Sequence, residues 1–320
     1  MSQLNPGTNS AAGVGDVRGP VATTLPAEEQ QQLTKPRSGG AEGGSQWWRH
    51  VLGVLALAWA LFPILFLVSA ALNPSGQLAS SDLIPRHFSL ENFAALGQDP
   101  SRPYWSWFKN SVVICVVGAF LCTFISACAS YAFSRMRFRG RREGMLALLL
   151  LQLFPATLGL VAMYITFAKI SDVMPEFGLN TSWGLILAYL GGAMGNVWLL
   201  KGYFDTVPKE MDEAAIVDGA SHARVFFTMI LRLAMPILVT VFMITFVGLF
   251  GEFMLASVFL TDVDNQTLAV GLRALSKGRD ANEKFGFFAA GSLLCSLPVM
   301  ALYALFQKQL VGGLTQGSVK

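Results

Sequence analysis

The sequence predicts an all-α integral membrane protein with six transmembrane helices. Hydrophobic residues make up 53% of the 320-residue chain and charged residues 13%, about half the charged share of a typical soluble domain. The apolar residues fall into six blocks of about 20 residues, the length that a helix needs to cross a hydrocarbon core. Helices are required because lipid cannot satisfy free backbone groups, and no segment alternates as barrel strands do.

The chain divides into an N-terminal tail and a membrane domain. Residues 1–46 are rich in Gly, Pro, Ser, Thr and Gln, and this composition predicts a disordered cytoplasmic tail. Residues 47–320 form the predicted six-helix domain, with a polar segment at about 201–235. The predicted spans are residues 51–72, 109–133, 145–168, 182–200, 236–260 and 285–306.

Arginines between Ser134 and Gly144 determine the predicted orientation. This short segment contains five arginines and one acid, Glu143, so the positive-inside rule places it in the cytoplasm. With six spans, both termini and segment 201–235 are then also cytoplasmic. Membrane topology explains these arginines better than nucleic-acid binding does. The net charge of +3 does not add support for nucleic-acid binding. The segments expected outside are the loops 73–108, 169–181 and 261–284.

The polar segment 201–235 predicts a short helix between two spans. The helix is expected to include the start of the run Glu213-Ala214-Ala215-Ile216-Val217-Asp218-Gly219-Ala220. Gly219 can end it, since glycine adopts the left-handed conformation easily. We expect Thr206 to cap its start with Pro208 in the first turn, and Ser221 to cap the next helix. A rigid element placed there is suited to pressing on another protein and passing its movement into the membrane.

Glu252 is the exception to the near absence of charge within the predicted spans. A charge at mid-membrane costs on the order of 3 kcal/mol or more, so Glu252 should face a partner or a wet cavity. Two interpretations stay open: a structural hydrogen bond to a neighbouring helix, or a place on the solute path. Gly191 and Gly195 have GxxxG spacing and predict close helix packing. Pro155 should kink the third span.

The sequence indicates no catalytic or metal centre. The four cysteines lack CxxC spacing, and the three histidines are scattered, so we expect no metal ligands. No GxxxxGK[ST] nucleotide-binding loop is present. If the protein uses ATP, another chain must bind it.

The polar segment resembles the cytoplasmic loop of the inner-membrane permease subunits of ATP-binding-cassette importers, within them the maltose/maltodextrin type. That loop reads E-A-A-x-x-D-G-A and later ends in P-x-x-x-P. The matching residues of the first part are Glu213, Ala214, Ala215, Asp218, Gly219 and Ala220. Pro236 matches the last proline, but Arg232 replaces the first, and we expect this to leave the helix straighter there.

Further matches to this family cover roughly residues 51–320. They include residues 130–138, 154–156, 178–181, 188–192, 201–204, 261–271 and 310–320.

The resemblance implies a type I importer permease fold with a cytoplasmic coupling helix around Glu213. It implies a multi-pass subunit of the cell inner (plasma) membrane that pairs with a second permease. Two ATPase subunits would bind ATP and Mg and hydrolyse the nucleotide, so this chain would be a transport subunit with no cofactor of its own. An extracytoplasmic binding protein would deliver the sugar. The loop implied to reach that protein consists of Asp264, Asn265, Gln266 and Thr267.

Other functions compete with a maltose/maltodextrin importer. The sugar is open, since apolar spans do not encode which hydroxyls are recognised, and trehalose is one alternative. A stand-alone secondary transporter would often show paired repeats or several buried charges. We find no convincing repeat and only one clear buried acid, so the importer is favoured.

Overall fold

The computed structural model describes residues 47–74, 88–277 and 281–315, and these residues form helices, turns and loops without a strand. The predicted tail 1–46 and the last five residues of the chain lie outside this part. The described residues from Ala58 onward belong to one compact unit. The helices are α1 (Trp47–Leu72), α2 (Glu91–Ala95), α3 (Tyr104–Arg135), α4 (Arg141–Gln152), α5 (Leu160–Val173), α6 (Ser182–Thr206), α7 (Lys209–Val217), α8 (His222–Leu233), α9 (Met235–Phe250), α10 (Met254–Phe259), α11 (Leu268–Leu275) and α12 (Phe285–Thr315).

Four of these helices, α1, α3, α6 and α12, are long and apolar enough to cross a membrane. Two bent helix pairs bring the number of spans to six if each pair counts as one. The first pair joins α4 to the segment Thr157–Val173 at 86°, and the second joins α8 to α9 at 78°. The predicted all-helical membrane fold is confirmed for the described residues, with six as the largest count of spans there.

The predicted third span, residues 145–168, is interrupted rather than merely kinked. α4 ends at Gln152, and Pro155 has an extended backbone with φ −60° and ψ 117°. Proline has no N–H to donate and its ring clashes with the preceding turn, so a helix cannot easily continue through it. A 3₁₀ turn, Ala156–Gly159, then leads into α5. Pro155 therefore produces a break between two helices.

The predicted fifth span, residues 236–260, also differs from the structure. α9 ends at Phe250, and the residues around Glu252 separate it from α10. At its other end, α9 carries Pro236 in its first turn, where a missing N–H removes no helical hydrogen bond. The expected straightening by Arg232 does not occur, because α8 and α9 meet at 78°.

The central helix is α3, which packs against α6, α9 and α11. Its contact with α6 uses small residues: the Ser126 hydroxyl lies 2.6 Å from the Ala193 carbonyl oxygen, and the Ser130 hydroxyl lies 2.9 Å from that of Val197. Small side chains let two helix backbones approach closely. Close packing of α6 therefore occurs at Ala193 and Val197, and not at the glycines for which we predicted it.

The two ends of α3 contact two different sets of loops. Its first two turns contact residues 263–268, and its last turn contacts residues 205–212. The loops predicted to be cytoplasmic thus meet at one end of α3. The loop between the last two predicted spans lies at the opposite end.

Candidate functional site

The helix predicted in the polar segment is α7, Lys209–Val217. Its predicted end is confirmed, because Gly219 has φ +85°. The predicted cap of the next helix is also confirmed: the Ser221 hydroxyl oxygen accepts a hydrogen bond of 3.3 Å from the Arg224 N–H. The predicted start is wrong. Thr206 is the last residue of α6 and donates its hydroxyl to the Tyr203 carbonyl oxygen at 2.7 Å.

The end of α6 at Thr206 has a local cause. Pro208 disfavours a helical backbone for the residue before it, and Val207 is accordingly extended with φ −75° and ψ 127°. α6 continues to Thr206, and α7 begins only after Pro208, which gives it no side-chain cap. The two helices are therefore separated by a two-residue connection.

One face of α7 is exposed and the opposite face is buried against the bundle. Glu213, Ala214 and Asp218 are exposed, and Val217 is exposed for 87% of its surface. Asp212 is buried. Ala215 and Ala220 pack at the edge of a buried cluster of apolar residues from α3, α6 and α8. Three residues of the E-A-A-x-x-D-G-A match, Glu213, Ala214 and Asp218, are thus exposed on the surface of this chain.

A buried ion pair holds α7 to the last turn of α3. The Arg135 Nε atom lies 2.7 Å from Asp212 Oδ2, and the two side chains are only 4% and 9% exposed. Arg135 also donates from Nη2 to the Val207 carbonyl oxygen at 2.7 Å. Burial raises the pKa of Asp212, and the Arg135 guanidinium opposes this shift. Because burial offsets much of the attraction in such pairs, we expect this one to fix position more than to add net stability.

The loop before α11 is held to the first turns of α3 by neutral hydrogen bonds. Trp107 Nε1 donates to the Val263 carbonyl oxygen at 2.6 Å. Asn110 Nδ2 donates to the carbonyl oxygens of Asp264 and Gln266 at 2.9 and 3.2 Å. The Ser111 hydroxyl accepts from the Leu268 N–H at 2.6 Å. The backbone of this loop is therefore fixed.

Asn180 holds the same loop from the other side. It has a left-handed backbone with φ 59°. Its side-chain oxygen accepts from the N–H groups of Thr261 and Asp262 at 2.6 and 3.0 Å. Its own carbonyl oxygen accepts from Asn265 Nδ2 at 2.9 Å. Of the four predicted loop residues, Asn265 thus makes a side-chain contact within the chain, and Thr267 is buried. Asp264 stays exposed and Gln266 is half-buried.

Glu252 lies between α9 and α10 and accepts three hydrogen bonds. Its carboxylate accepts from the Leu255 and Ala256 N–H groups at 2.7 and 3.0 Å, which places negative charge at the start of α10, where the helix dipole favours it. It also accepts from the Tyr189 hydroxyl at 2.7 Å. These contacts join α10 to α6.

Glu252 also lines a mostly apolar cleft of about 600 Å³ beside α4, α6 and α9. Gly191 and Gly195 line the same cleft, and no atom lies within 4 Å of the position that a side chain would take at either glycine. Their predicted close packing therefore does not occur within the described residues. Glu252 thus has the hydrogen-bonded neighbour of one interpretation and also borders a cleft, and its place on the solute path stays a prediction.

The described residues contain no group of three or more His, Cys, Asp or Glu side chains that could hold a metal ion. Sequence reasoning missed the partners that position the predicted residues: Asp212, Asn110 and Asn180. Arg135 was used only as a sign of topology. The sequence shows Asp212 only as one of two acids in the first turn of the helix, and nothing local indicated its burial or its partner.

Comparison with known proteins agrees with the resemblance. Residues 41–312 match the family described as the binding-protein-dependent transport system inner membrane component. The chain is 39% identical over 285 residues to the maltose/maltodextrin transport system permease protein MalG of Vibrio vulnificus YJ016, covering 86% of this chain and 95% of that protein. It is 38% identical over 282 residues to MalG of Escherichia coli K12, covering 85% and 94%.

A solved bacterial ABC transporter involved in the import of the acidic polysaccharide alginate has the same fold. A chain of that structure aligns with a TM-score of 0.71 at 20% identity, over 90% of this chain and 100% of that chain. With a family match over most of the sequence and close relatives over nearly their full length, this chain belongs to the inner-membrane components of binding-protein-dependent transport systems.

Proposed function

We propose that this chain is a permease subunit of an ATP-driven importer for maltose/maltodextrin-type oligosaccharides. The substrate class is supported by the relatives named MalG, which match along nearly their whole length. In this proposal the chain pairs with a second permease, two ABC ATPase subunits bind ATP and Mg and carry out hydrolysis, and a sugar-binding protein docks outside. Both chain termini and α7 are cytoplasmic.

The observation that carries the proposal is the placement of α7. Its exposed face contains Glu213, Ala214 and Asp218, which are available to a partner protein. Its buried face is joined to the last turn of α3 through Arg135 and Asp212. A partner shifts a two-state protein only by binding one state better. A closing ATPase that grips α7 would thereby act directly on the central helix of the bundle.

The loop from Asp264 to Thr267 is proposed to act on the binding protein. Its backbone is fixed to α3, which supports a preformed projection rather than a free linker. The exposed Asp264 and half-buried Gln266 side chains can exchange hydrogen bonds as sugar hydroxyls do. A loop of this kind would compete for the sugar's partners once the binding protein opens.

Glu252 is proposed to have a structural role first, because three donors of this chain already bond its carboxylate. Its position in the cleft beside α4 and α6 supports a second role along the solute path.

Uptake of labelled sugars tests the substrate class. Vesicles containing the full complex, loaded with ATP inside and binding protein outside, should accumulate maltose and maltotriose in preference to trehalose. Preference for trehalose would change the proposed substrate but would leave the assignment as an importer intact. ATP-independent uptake by this chain alone would overturn the importer itself.

Substitution of Gly219 tests the coupling role of α7. Proline cannot adopt a φ of +85°, so Gly219→Pro should misplace the end of α7, lower co-purification of the ATPase subunits and reduce uptake. No atom lies within 4 Å of the position of a side chain there, so the effect is one of backbone conformation. Gly219→Asn is the matched control, since asparagine tolerates the left-handed region. Normal uptake by the proline variant in a normally assembled complex would refute the assignment.

A further inference from the structure

A basic cleft lies between α4 and α6 at the end of the bundle that carries α7. It has a volume of about 420 Å³ and is lined by Arg141, Arg142 and Lys201 together with three apolar residues, Met145, Leu146 and Trp198. The cations and the apolar residues occupy different heights. Arg141 and Arg142 begin α4, and Met145 and Leu146 follow one turn deeper.

On α6, whose C-terminal end lies at the cleft, the cation is again nearer the end of the helix than the apolar residue. Lys201 lies five residues before the end of the helix at Thr206, and Trp198 lies three residues deeper. At 1.5 Å per residue, Lys201 is roughly 7 Å and Trp198 roughly 12 Å from that end. On both helices the cations therefore lie nearer the end of the bundle, and the apolar residues of the cleft lie about one turn further along the helix, towards its middle.

The cleft keeps a positive charge despite neighbouring acids. Asp205 pairs with Lys201 and accepts a hydrogen bond of 2.6 Å from the Ser134 hydroxyl. Arg141 donates to the Ser134 carbonyl oxygen at 3.1 Å, which holds its side chain at the cleft. Arg142 is exposed, and none of the hydrogen bonds or ion pairs among the described residues uses it. The lining of the cleft therefore holds three cations and no acid; Asp205 and Glu143 are neighbours of these cations outside the lining.

The surface of α4 and α6 next to the cleft, on the side of its apolar lining residues, is apolar as well. Leu146, Leu149 and Leu150 of α4 are exposed for 51%, 40% and 67% of their surfaces, and Leu199 of α6 for 49%. A free anion would need only the cations. A ligand with a phosphate at one end and hydrocarbon at the other uses both parts of the cleft, as basic pockets between transmembrane helices do with anionic lipids.

We propose that this cleft binds the headgroup of an anionic glycerophospholipid, with its phosphate between Arg142 and Lys201 and its acyl chains along Leu146 and Trp198. The bound lipid would join the start of α4 to the end of α6, next to the connection into α7. The inference does not depend on the sugar or on the coupling role of α7, because it rests on the cleft alone.

Native mass spectrometry of the full-length chain with its co-purifying subunits tests the proposal. Phosphatidylglycerol should be retained, whereas zwitterionic phosphatidylcholine should not. The double variant Arg142→Gln/Lys201→Gln should weaken retention by about fivefold for each cation removed. The matched control is Arg137→Gln/Arg139→Gln, which removes two exposed arginines of the same loop that do not line the cleft. It should retain the lipid.

Several outcomes would overturn the inference. Equal loss in both double variants would show attraction to general surface charge, and equal retention would show that the cleft is not the site. Displacement by millimolar inorganic phosphate would indicate a free-anion site. Retention that disappears when the partner permease is present would show that a protein covers the cleft. If the double variant unfolds, Arg142→Gln alone gives the same comparison with Arg139→Gln.

Discussion

The two ends of α3 are joined to their loops by different kinds of contact. At the end near α7, a buried pair of opposite charges, Arg135 and Asp212, makes the connection. At the end near α11, neutral donors make it: Trp107 and Asn110 bond backbone carbonyl oxygens of the loop, and the Ser111 hydroxyl accepts from the backbone N–H that follows. One connection depends on charge and the other on shape.

This difference teaches what each end can tolerate. A buried ion pair is costly to break on one side only, because the remaining charge is left without a partner. A set of neutral hydrogen bonds loses about 1 kcal/mol for each bond removed, but it requires the loop to stay in register. Charge substitutions should therefore damage the first end, and changes of volume should damage the second.

The largest effect is expected for Arg135→Met. It leaves the Asp212 carboxylate buried without its ion-pair partner, and removing one side of such a pair costs about 3–5 kcal/mol. Thermal unfolding in detergent, followed by tryptophan fluorescence, should show a clearly lowered midpoint. The double variant Arg135→Met/Asp212→Leu should recover much of that loss, since apolar replacement of both partners is often neutral. A double variant as unstable as the single one would contradict the comparison.

The next effect is expected for Glu252→Leu, which tests a carboxylate held by hydrogen bonds instead of an ion pair. It leaves the Tyr189 hydroxyl and two N–H groups of α10 without their acceptor, at a cost of about 3 kcal/mol. Glu252→Gln should be milder because its amide oxygen still accepts. Assembly yield measures the structural part, and sugar uptake by the assembled complex measures any further role. Full tolerance of leucine in both assays would remove Glu252 from the site.

A smaller effect is expected for Gly271→Ala at the shape-dependent end. The added methyl group would lie 2.2 Å from the Trp107 ring, so the ring must move and its hydrogen bond to Val263 should break. Overpacking of this kind costs about 1–3 kcal/mol, so the midpoint of thermal unfolding should fall. Gly248→Ala is the control, since no atom lies within 4 Å of its added methyl group. Equal midpoints for both variants would show that Trp107 does not fix the loop.

The smallest effect on stability is expected for Asp264→Ala/Gln266→Ala. Asn110 bonds the carbonyl oxygens of these residues, not their side chains, so the free energy of unfolding should change by less than about 0.5 kcal/mol. More labelled sugar should stay on the binding protein in complexes trapped with a non-hydrolysable ATP analogue. Equal retention with the native loop would reduce these side chains to a solvated surface.

Local rules predicted the parts of the site that depend on neighbouring residues. The left-handed Gly219 and the Ser221 cap follow from the conformational freedom of one residue and from a hydrogen bond within one turn. The Thr206 cap was wrong because α6 continues beyond its apolar stretch until Pro208 ends it. That ending also follows from a local rule, since Pro208 disfavours a helical backbone at Val207.

Contacts between distant parts of the chain could not be predicted in this way. In the sequence, Arg135 is one of several arginines that the positive-inside rule explains. Only the fold shows that its side chain pairs with Asp212. The break at Glu252 is hidden for the same reason: residues 236–260 contain no other charge, and the carboxylate that starts α10 also needs Tyr189 from another helix. Hydropathy gives the number of apolar blocks but not their interruptions.

Two requirements limit which residue can occupy position 180: a left-handed backbone and a side-chain oxygen that accepts hydrogen bonds. The φ of 59° at Asn180 excludes most side chains on steric grounds, which would ordinarily leave glycine as the easiest substitute. Glycine, however, lacks the oxygen that accepts from Thr261 and Asp262. In a library of all amino acids at position 180, selection for sugar uptake should therefore return asparagine and aspartate, which both tolerate this conformation and carry a side-chain oxygen. Glycine lacks the oxygen, and alanine both lacks the oxygen and is strained.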